Sequence, residues 1–336
     1  MATVKVFMPT YRRNNTLVRS IDSLLKQTFT NWICEVHNDD PDDKFPGNYI
    51  AGLNDTRFSI INHPVNFGAV KTFNLAFDDC DETYLSILED DNWWQPDLLE
   101  TMVDVMESHK NVQVAWANMH LWQEEPGNKW IDTQITIWPV IAEKITTFNF
   151  PHYKQAFTAL HSIGAMFVRN KDLNKLKIAE SSRLDLIEPI RERAYQHPML
   201  LINKPLANFA LTLNTSRQPT IEGMYEQSLL LIDSFFTCVE PNDEYAKLLW
   251  ADAREKKLRS YNRLLYTGLT CKSSRKLLKF ATLKEWSIFI LYNLKYPFIM
   301  GRCLNAKKTY AELWAYLLTN TRNRAEETKI NEPVNV

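Results

Sequence analysis

The chain has 336 residues, 45% hydrophobic and 24% charged, enough for one large or two modest cores. With only 8 glycines, no Gly-x-Gly-x-x-Gly and no Gly-Lys-Ser/Thr, it lacks the main signals of dinucleotide-binding folds and P-loop NTPases. The net charge of −1 hides a split: from Arg254 to Lys308, 14 lysines and arginines stand against 2 acids, a local +12 that leaves −13 elsewhere and suggests that one part meets an anionic surface.

Met1-Ala2-Thr3-Val4-Lys5 has no signal-peptide pattern and runs straight into a strand over Val4 to Pro9. Leu17, Ile21, Leu24 and Leu25 fall at helical spacing. Trp32 to Val36 reads as a second strand, ending in Asn38-Asp39-Asp40-Pro41-Asp42-Asp43, and Phe58 to Ile61 as a third. A helix is expected over Ala69 to Phe77. Tyr84 to Leu88 is a buried strand that delivers Glu89-Asp90-Asp91 to its C-terminal end, where open α/β sheets place their ligands. Three adjacent carboxylates repel one another, so a fold that gathers them has use for a hard cation such as Mg²⁺ or Mn²⁺; the competing reading is a solvated acidic turn. Pro96 opens a helix continued by Leu98, Leu99, Met102, Val103 and Met106, and Val112 to Trp116 is another strand. This alternation predicts an α/β fold, a mostly parallel sheet flanked by helices.

The Trp-rich stretch 118–151 reads as a loop or hairpin covering a site, and Ile163 to Val168 as a strand. After about Ser216 the pattern turns helical, over Tyr225–Cys238, Tyr245–Leu265, Leu283–Leu294 and Ala306–Leu318, with a polar tail over 321–336 read as disordered. The expected domains are 1–215, a basic helical region 216–320 and that tail. The five cysteines are scattered, with no Cys-x-x-Cys, against a zinc site or a disulfide framework. No apolar run reaches membrane-spanning length. These features together read as cytoplasmic.

Val6-Phe7-Met8-Pro9-Thr10-Tyr11-Arg12-Arg13, Ser23 to Phe29, Asn38-Asp39-Asp40, Asn66-Phe67-Gly68 and Glu89-Asp90-Asp91-Asn92, in that order and spacing, resemble family 2 glycosyltransferases of the GT-A fold over roughly residues 3–215. The resemblance implies a Rossmann-like nucleotide-sugar-binding domain, a nucleotide-sugar donor (a UDP-sugar first), a Mn²⁺ or Mg²⁺ ion bridging its diphosphate, a glycan or lipid-linked acceptor, and inverting transfer. Asp91 matches the family's metal ligand, and Asp90 faces the ribose or the metal shell. Thr10, Tyr11 and Arg13 match the nucleotide-gripping loop. Asn38 sits where the family's uracil-reading Asp stands, with Asp39 beside it. The usual Gly-Ser is Asp40-Pro41 here, so the turn must differ. Lys71 either reaches the diphosphate or is a solvated helix lysine. His161 contacts donor or acceptor, or is structural. An inverting transfer needs a base for the acceptor hydroxyl. Asp185 aligns with it and Glu188 is the alternative, although the family's Glu-Asp pair is reduced to Leu184-Asp185.

Trp286 to Tyr292 and Tyr296 to Met300 set apolar and aromatic residues among Lys276, Lys279, Lys284, Lys295, Arg302, Lys307 and Lys308. Rings with cations suit an anionic membrane surface, giving a peripheral protein at the inner face of the membrane. The alternatives are packing on the catalytic domain or on a second subunit of a homodimer. No nucleic-acid-reading motif is present. Two rival functions remain open, a non-catalytic nucleotide-sugar-binding or scaffolding subunit and a sugar nucleotidyltransferase. The second would call for a Gly-rich loop where Pro9-Thr10-Tyr11-Arg12 stands.

Overall fold

The computed structural model describes residues 2–127, 129–213, 223–255 and 260–331. It divides into two compact units, one of Met1–Asn149, His161–Lys177 and Tyr195–Ser216, the other of Phe150–Leu160, Ile178–Ala194 and Arg217–Val336. The single boundary expected near 215 is therefore replaced by a chain that enters the second unit three times.

In the first unit a sheet runs in the order β3-β2-β1-β4-β9-β6-β10-β5. Its strands are β1 (Val4–Thr10), β2 (Trp32–Asn38), β3 (Phe58–Asn62), β4 (Tyr84–Ile87), β5 (Trp93–Trp94), β6 (Val114–Glu125), β9 (Met166–Arg169) and β10 (Met199–Leu211). The first four in that order pair in parallel, as do β6 and β10, while β9 lies antiparallel between β4 and β6. Val4, Val6, Phe7 and Met8 of β1 are all buried, the near-continuous apolar run of a strand covered on both faces. Helices α1 (Asn14–Leu25), α2 (Phe45–Leu53), α3 (Ala69–Leu75) and α4 (Leu98–Ser108) complete the alternation. Leu17, Ile21 and Leu24 of α1 join Met102, Val103 and Met106 of α4 in one core.

The 118–151 stretch holds the expected hairpin and one further strand. β6 runs on to Glu125 and pairs antiparallel with β7 (Lys129–Thr136), and β8 (Ile145–Phe148) pairs with β10. The strand expected from Ile163 begins at Met166. A 3₁₀ turn, Ile163–Ala165, precedes it, and Gly164 within that turn is pressed against the acidic loop.

The second unit is helical: α5 (Ile187–Arg191), α6 (Met224–Val239), α7 (Asp243–Glu255), α8 (Tyr261–Thr270), α9 (Leu283–Lys295), α10 (Phe298–Thr309) and α11 (Ala311–Asn331). The helix expected over 245–265 is two, α7 and α8, flanking 256–259, which lie outside the described residues. The one expected from Ala306 is divided at Tyr310 between α10 and α11. The tail expected to be disordered is helical to Asn331, and 332–336 lie outside the described residues. Leu313, Leu317, Thr321 and Ala325 form a buried stripe every four residues, which anchors a helix whose composition is polar. Arg193, fully buried, donates to the carbonyls of Gln155 and Leu231 at 2.6 and 3.0 Å and to Thr321 Oγ1 at 3.1 Å; burial lowers its pKa to about 10. No described helix is long and apolar enough to cross a membrane.

Candidate functional site

The parallel strands β1, β2 and β4 end together, and the predicted donor-side residues gather there. Thr10 closes β1 and is buried, Asn38 closes β2, and the acids follow β4. The Tyr11 N–H donates to Asp90 Oδ2 at 3.3 Å, tying the first loop to the acidic one. Asp90 is buried, and its pKa rises to about 7 through burial first and the Asp91 charge second, against the pull of Arg13. Arg13 pairs with Asp91 Oδ2. Arg12, at a left-handed φ of 55°, turns outward and holds Asp40 at 2.5 Å. The exposed Tyr11 ring lies 4.9 Å from the Arg12 guanidinium.

Glu89 accepts from Asn92 Nδ2 at 2.7 Å; Asn92 Oδ1 in turn accepts from the Ala210 N–H at 3.0 Å, and its carbonyl from Ser20 Oγ at 2.5 Å. These bonds brace the acidic loop against α1 and β10.

Asn38 and Asp39 are held by a dense set of contacts. Both donor positions of the Asn38 amide are spent, on Asp43 O at 2.8 Å and Asn62 Oδ1 at 2.9 Å, and its oxygen accepts from the Asp40 N–H at 3.1 Å. Asp39 accepts from His63 Nδ1 at 2.8 Å and from the backbone N–H groups of Phe67 and Gly68 at 2.7 and 3.0 Å. The pair therefore shapes the turn that replaces Gly-Ser and fixes the 66–68 loop. Gly68, at a φ of 77°, opens α3 from that loop, and Lys71 of α3 sits 4.3 Å over the Phe67 ring.

One part of this site was not foreseen. Arg19 lies between the rings of Trp93 and Trp130, at 3.8 and 4.1 Å, and donates to the Asp91 carbonyl at 2.7 Å; burial lowers its pKa to about 10. Its only sequence signal is an arginine on the face of α1 opposite Leu17 and Ile21. Its aromatic partner Trp130 is more than a hundred residues away along the chain.

Two carboxylates with excess negative charge fit a divalent cation. Among the described residues no cluster of three or more His, Cys, Asp and Glu forms a closed metal cage.

Asp185 and Glu188 belong to the second unit. Arg183 donates to both Asp185 oxygens, at 2.8 and 3.3 Å, and Arg191 pairs with Glu188. His161 is buried in the first unit, edge-on to Tyr195 at 5.1 Å.

Among solved structures, residues 1–349 of S. aureus TarS, crystallised with UDP-GlcNAc, cover 99% of this chain and 93% of their own at 13% identity and a TM-score of 0.56, a likeness of fold. The putative colanic acid biosynthesis glycosyl transferase WcaA of Escherichia coli (strain K12) is 28% identical over 118 residues, 35% of this chain and 41% of WcaA. The Escherichia coli UDP-Glc:alpha-D-GlcNAc-diphosphoundecaprenol beta-1,3-glucosyltransferase WfgD is 27% identical over 118 residues, 35% of this chain and 46% of WfgD. The chain thus spans less than half the length of these curated relatives. The profile of Glycosyl transferase family 2 matches residues 5–175, half of the chain, and the chain belongs to that family.

Proposed function

We propose that this chain transfers a hexose-type sugar from a nucleotide-diphosphate donor, a UDP-sugar first, to a glycan or lipid-linked acceptor in polysaccharide biosynthesis, by direct displacement with inversion. The observation that carries this reading is the acidic loop at the C-terminal ends of β1 and β4, where Asp90 and Asp91 are gathered under Arg13. A Mn²⁺ or Mg²⁺ ion held by Asp91, with Asp90 beside it, would supply positive charge against the diphosphate leaving group. Arg13 then binds phosphate, Thr10 and Tyr11 flank the nucleotide, Asn38 and Asp39 hold the floor of its site, and Lys71 stands on the diphosphate side. Asp185 takes the proton of the acceptor hydroxyl, with Glu188 as the second candidate. The UDP preference draws support from the UDP-GlcNAc in the TarS structure and the UDP-Glc of the WfgD name.

Calorimetric titration of UDP with Mn²⁺, with GDP and dTDP as controls, tests the reading. Metal-dependent UDP binding that Asp91→Ala loses is the expected result. Failure of every nucleotide to bind overturns it. A second reading, a non-catalytic donor-binding subunit, is favoured by the arginines that engage both base candidates. It predicts donor binding without turnover across a broad acceptor panel.

For the helical region we propose contact with an anionic membrane. On α9, Phe289 and Tyr292 face inward, while Leu283 (87% exposed), Ile290, Leu291 and Leu294 (74% exposed) form an outward stripe beside the exposed Lys284 and Lys295. Several other cations of the region are committed to acids: Arg254 to Glu285, Arg302 to Glu226 and Lys307 to Asp233. A second copy of the chain, giving a homodimer, is the competing occupant of the stripe. Membrane contact would make this a peripheral protein at the cytoplasmic face.

A further inference from the structure

Beneath the nucleotide end of the site, a line of ionisable side chains crosses β1, β2 and the loop after β3. Lys5 Nζ lies 3.1 Å from Glu35 Oε1, which lies 2.7 Å from His37 Nε2. His37 Nδ1 lies 3.0 Å from His63 Nε2, and His63 Nδ1 lies 2.8 Å from Asp39 Oδ1. Lys5, His37, His63 and Asp39 are all buried. The rings are fixed by packing, His37 against Phe7 at 4.4 Å and His63 stacked on Phe67 at 4.3 Å. Lys71, over the Phe67 ring, adds a charge from α3.

Each outer nitrogen faces a carboxylate oxygen, an acceptor only, and so must donate. The inner nitrogens face each other at hydrogen-bond distance, so one of them must donate too. Three contacts need three N–H groups, and two neutral imidazoles carry only two. Two neutral rings would leave two lone pairs opposed at 3.0 Å, and two cationic rings would oppose two protons.

We propose that His37 and His63 share one extra proton, a buried imidazolium that locks Asp39 onto the backbone of the 66–68 loop, making both histidines positioning residues for the nucleotide site. With that proton the line is neutral: Lys5 and the histidine pair balance Glu35 and Asp39. Glu35 meets the Lys5 ammonium at 3.1 Å and His37 Nε2 at 2.7 Å, donors that keep the carboxylate ionised and leave the third proton to the rings. Asp39 then keeps both oxygens on His63 and on the Phe67 and Gly68 N–H groups, which set the entry to α3. The proton count stands on geometry alone; its consequence for binding rests on the nucleotide-diphosphate reading above.

The test is ¹⁵N spectroscopy of the histidine-labelled full chain at neutral pH, with UDP and Mn²⁺ titration of variants beside it. The expected spectrum shows one imidazolium shared between His37 and His63, and the His37→Phe variant returns His63 to a neutral ring with one bare nitrogen. Two neutral rings in the wild-type protein overturn the proposal whether or not any nucleotide binds. His63→Phe keeps the stacking but removes the donor to Asp39, and should weaken Mn²⁺-dependent UDP binding about tenfold or more. Wild-type UDP affinity in a folded His63→Phe protein overturns the positioning role even where the imidazolium is seen. Absence of nucleotide binding by the wild-type chain overturns the donor reading and with it that role, leaving the proton count to the spectrum.

Discussion

Gly164→Ala tests how tightly the acidic loop is built. A Cβ at residue 164 would lie 2.5 Å from Asn92 Nδ2 and 3.0 Å from Glu89 Oε2. Ordinary carbon contacts sit near 3.5–4 Å, so the Asn92 amide must retreat by about 1 Å. It is poorly placed to do so, because Asn92 Nδ2 bonds Glu89 and its oxygen receives the Ala210 N–H. Nor is the turn free to back away, since the Gly164 carbonyl accepts from Trp94 Nε1 at 2.7 Å. Overpacking costs about 1–3 kcal/mol, and one strained or lost buried hydrogen bond adds about 1 kcal/mol. The sum is about 2–4 kcal/mol, a fall of roughly 4–16 °C in the thermal midpoint of a unit this size.

The displaced residues immediately flank Asp90 and Asp91, so Mn²⁺-dependent UDP binding should weaken with stability. Gly52→Ala is the control. Nothing lies within 4 Å of a Cβ there, on the exposed side of α2, and the change should stabilise by about 0.5–1 kcal/mol. Thermal melts and calorimetry on the two variants decide the matter. A Gly164→Ala protein that melts and binds UDP like the wild type would refute the account of the loop's bracing.

Two carboxylates should give opposite pH dependences. Asp90 has a raised pKa, so its charged form costs stability above about pH 7, and that cost is relieved as pH falls toward the ordinary aspartate range. Asp90→Asn should therefore be more stable than the wild type at alkaline pH in urea melts while losing metal-dependent UDP binding; equal alkaline stability would contradict this. Glu35 has a depressed pKa, so its contribution is fully present above about pH 4.5 and is lost as pH falls toward 2. Glu35→Gln should cost about 1–2 kcal/mol at neutral pH, the half-buried carboxylate being partly screened by solvent, and flatten the acid limb of the stability curve, and an unchanged acid limb would count against the Glu35–His37 contact. Leu291→Ser with Leu294→Ser should leave the thermal midpoint nearly unchanged and reduce sedimentation with phosphatidylglycerol vesicles at least tenfold. Undiminished vesicle binding, or a loss of dimers in its place, would reject the lipid reading of α9.

The residues that sequence reasoning located are those whose chemistry is written within a few positions of one another. Tyr84 to Ile87 followed by three acids is a strand and the acidic loop at its end on any register, because a parallel strand buried on both faces has to be apolar and its polar end has to lie at the edge. Asn38 and Asp39 were located just as well, yet their work was not legible. What an amide or a carboxylate does depends on who meets it, and their partners, Asn62, His63, Phe67 and Gly68, arrive from the next strand and loop. Arg19 shows the same limit over a longer span, since only the β6–β7 hairpin brings Trp130 to it. In the helical unit the limit is one of faces. Periodicity finds α9 but does not say which of its two apolar sides is buried, and the structure turns Phe289 and Tyr292 inward and the leucines out. The tail was misread for the converse reason: α11 buries Thr321 and Ala325, small side chains that hydropathy hardly registers but that let a helix pack closely. Local patterns thus mark where charge must collect. The partners that decide whether a collected charge binds a ligand, fixes a loop or holds a proton come from elsewhere in the chain, which is why the His37–His63 contact, 26 residues apart in sequence, emerges only from the fold.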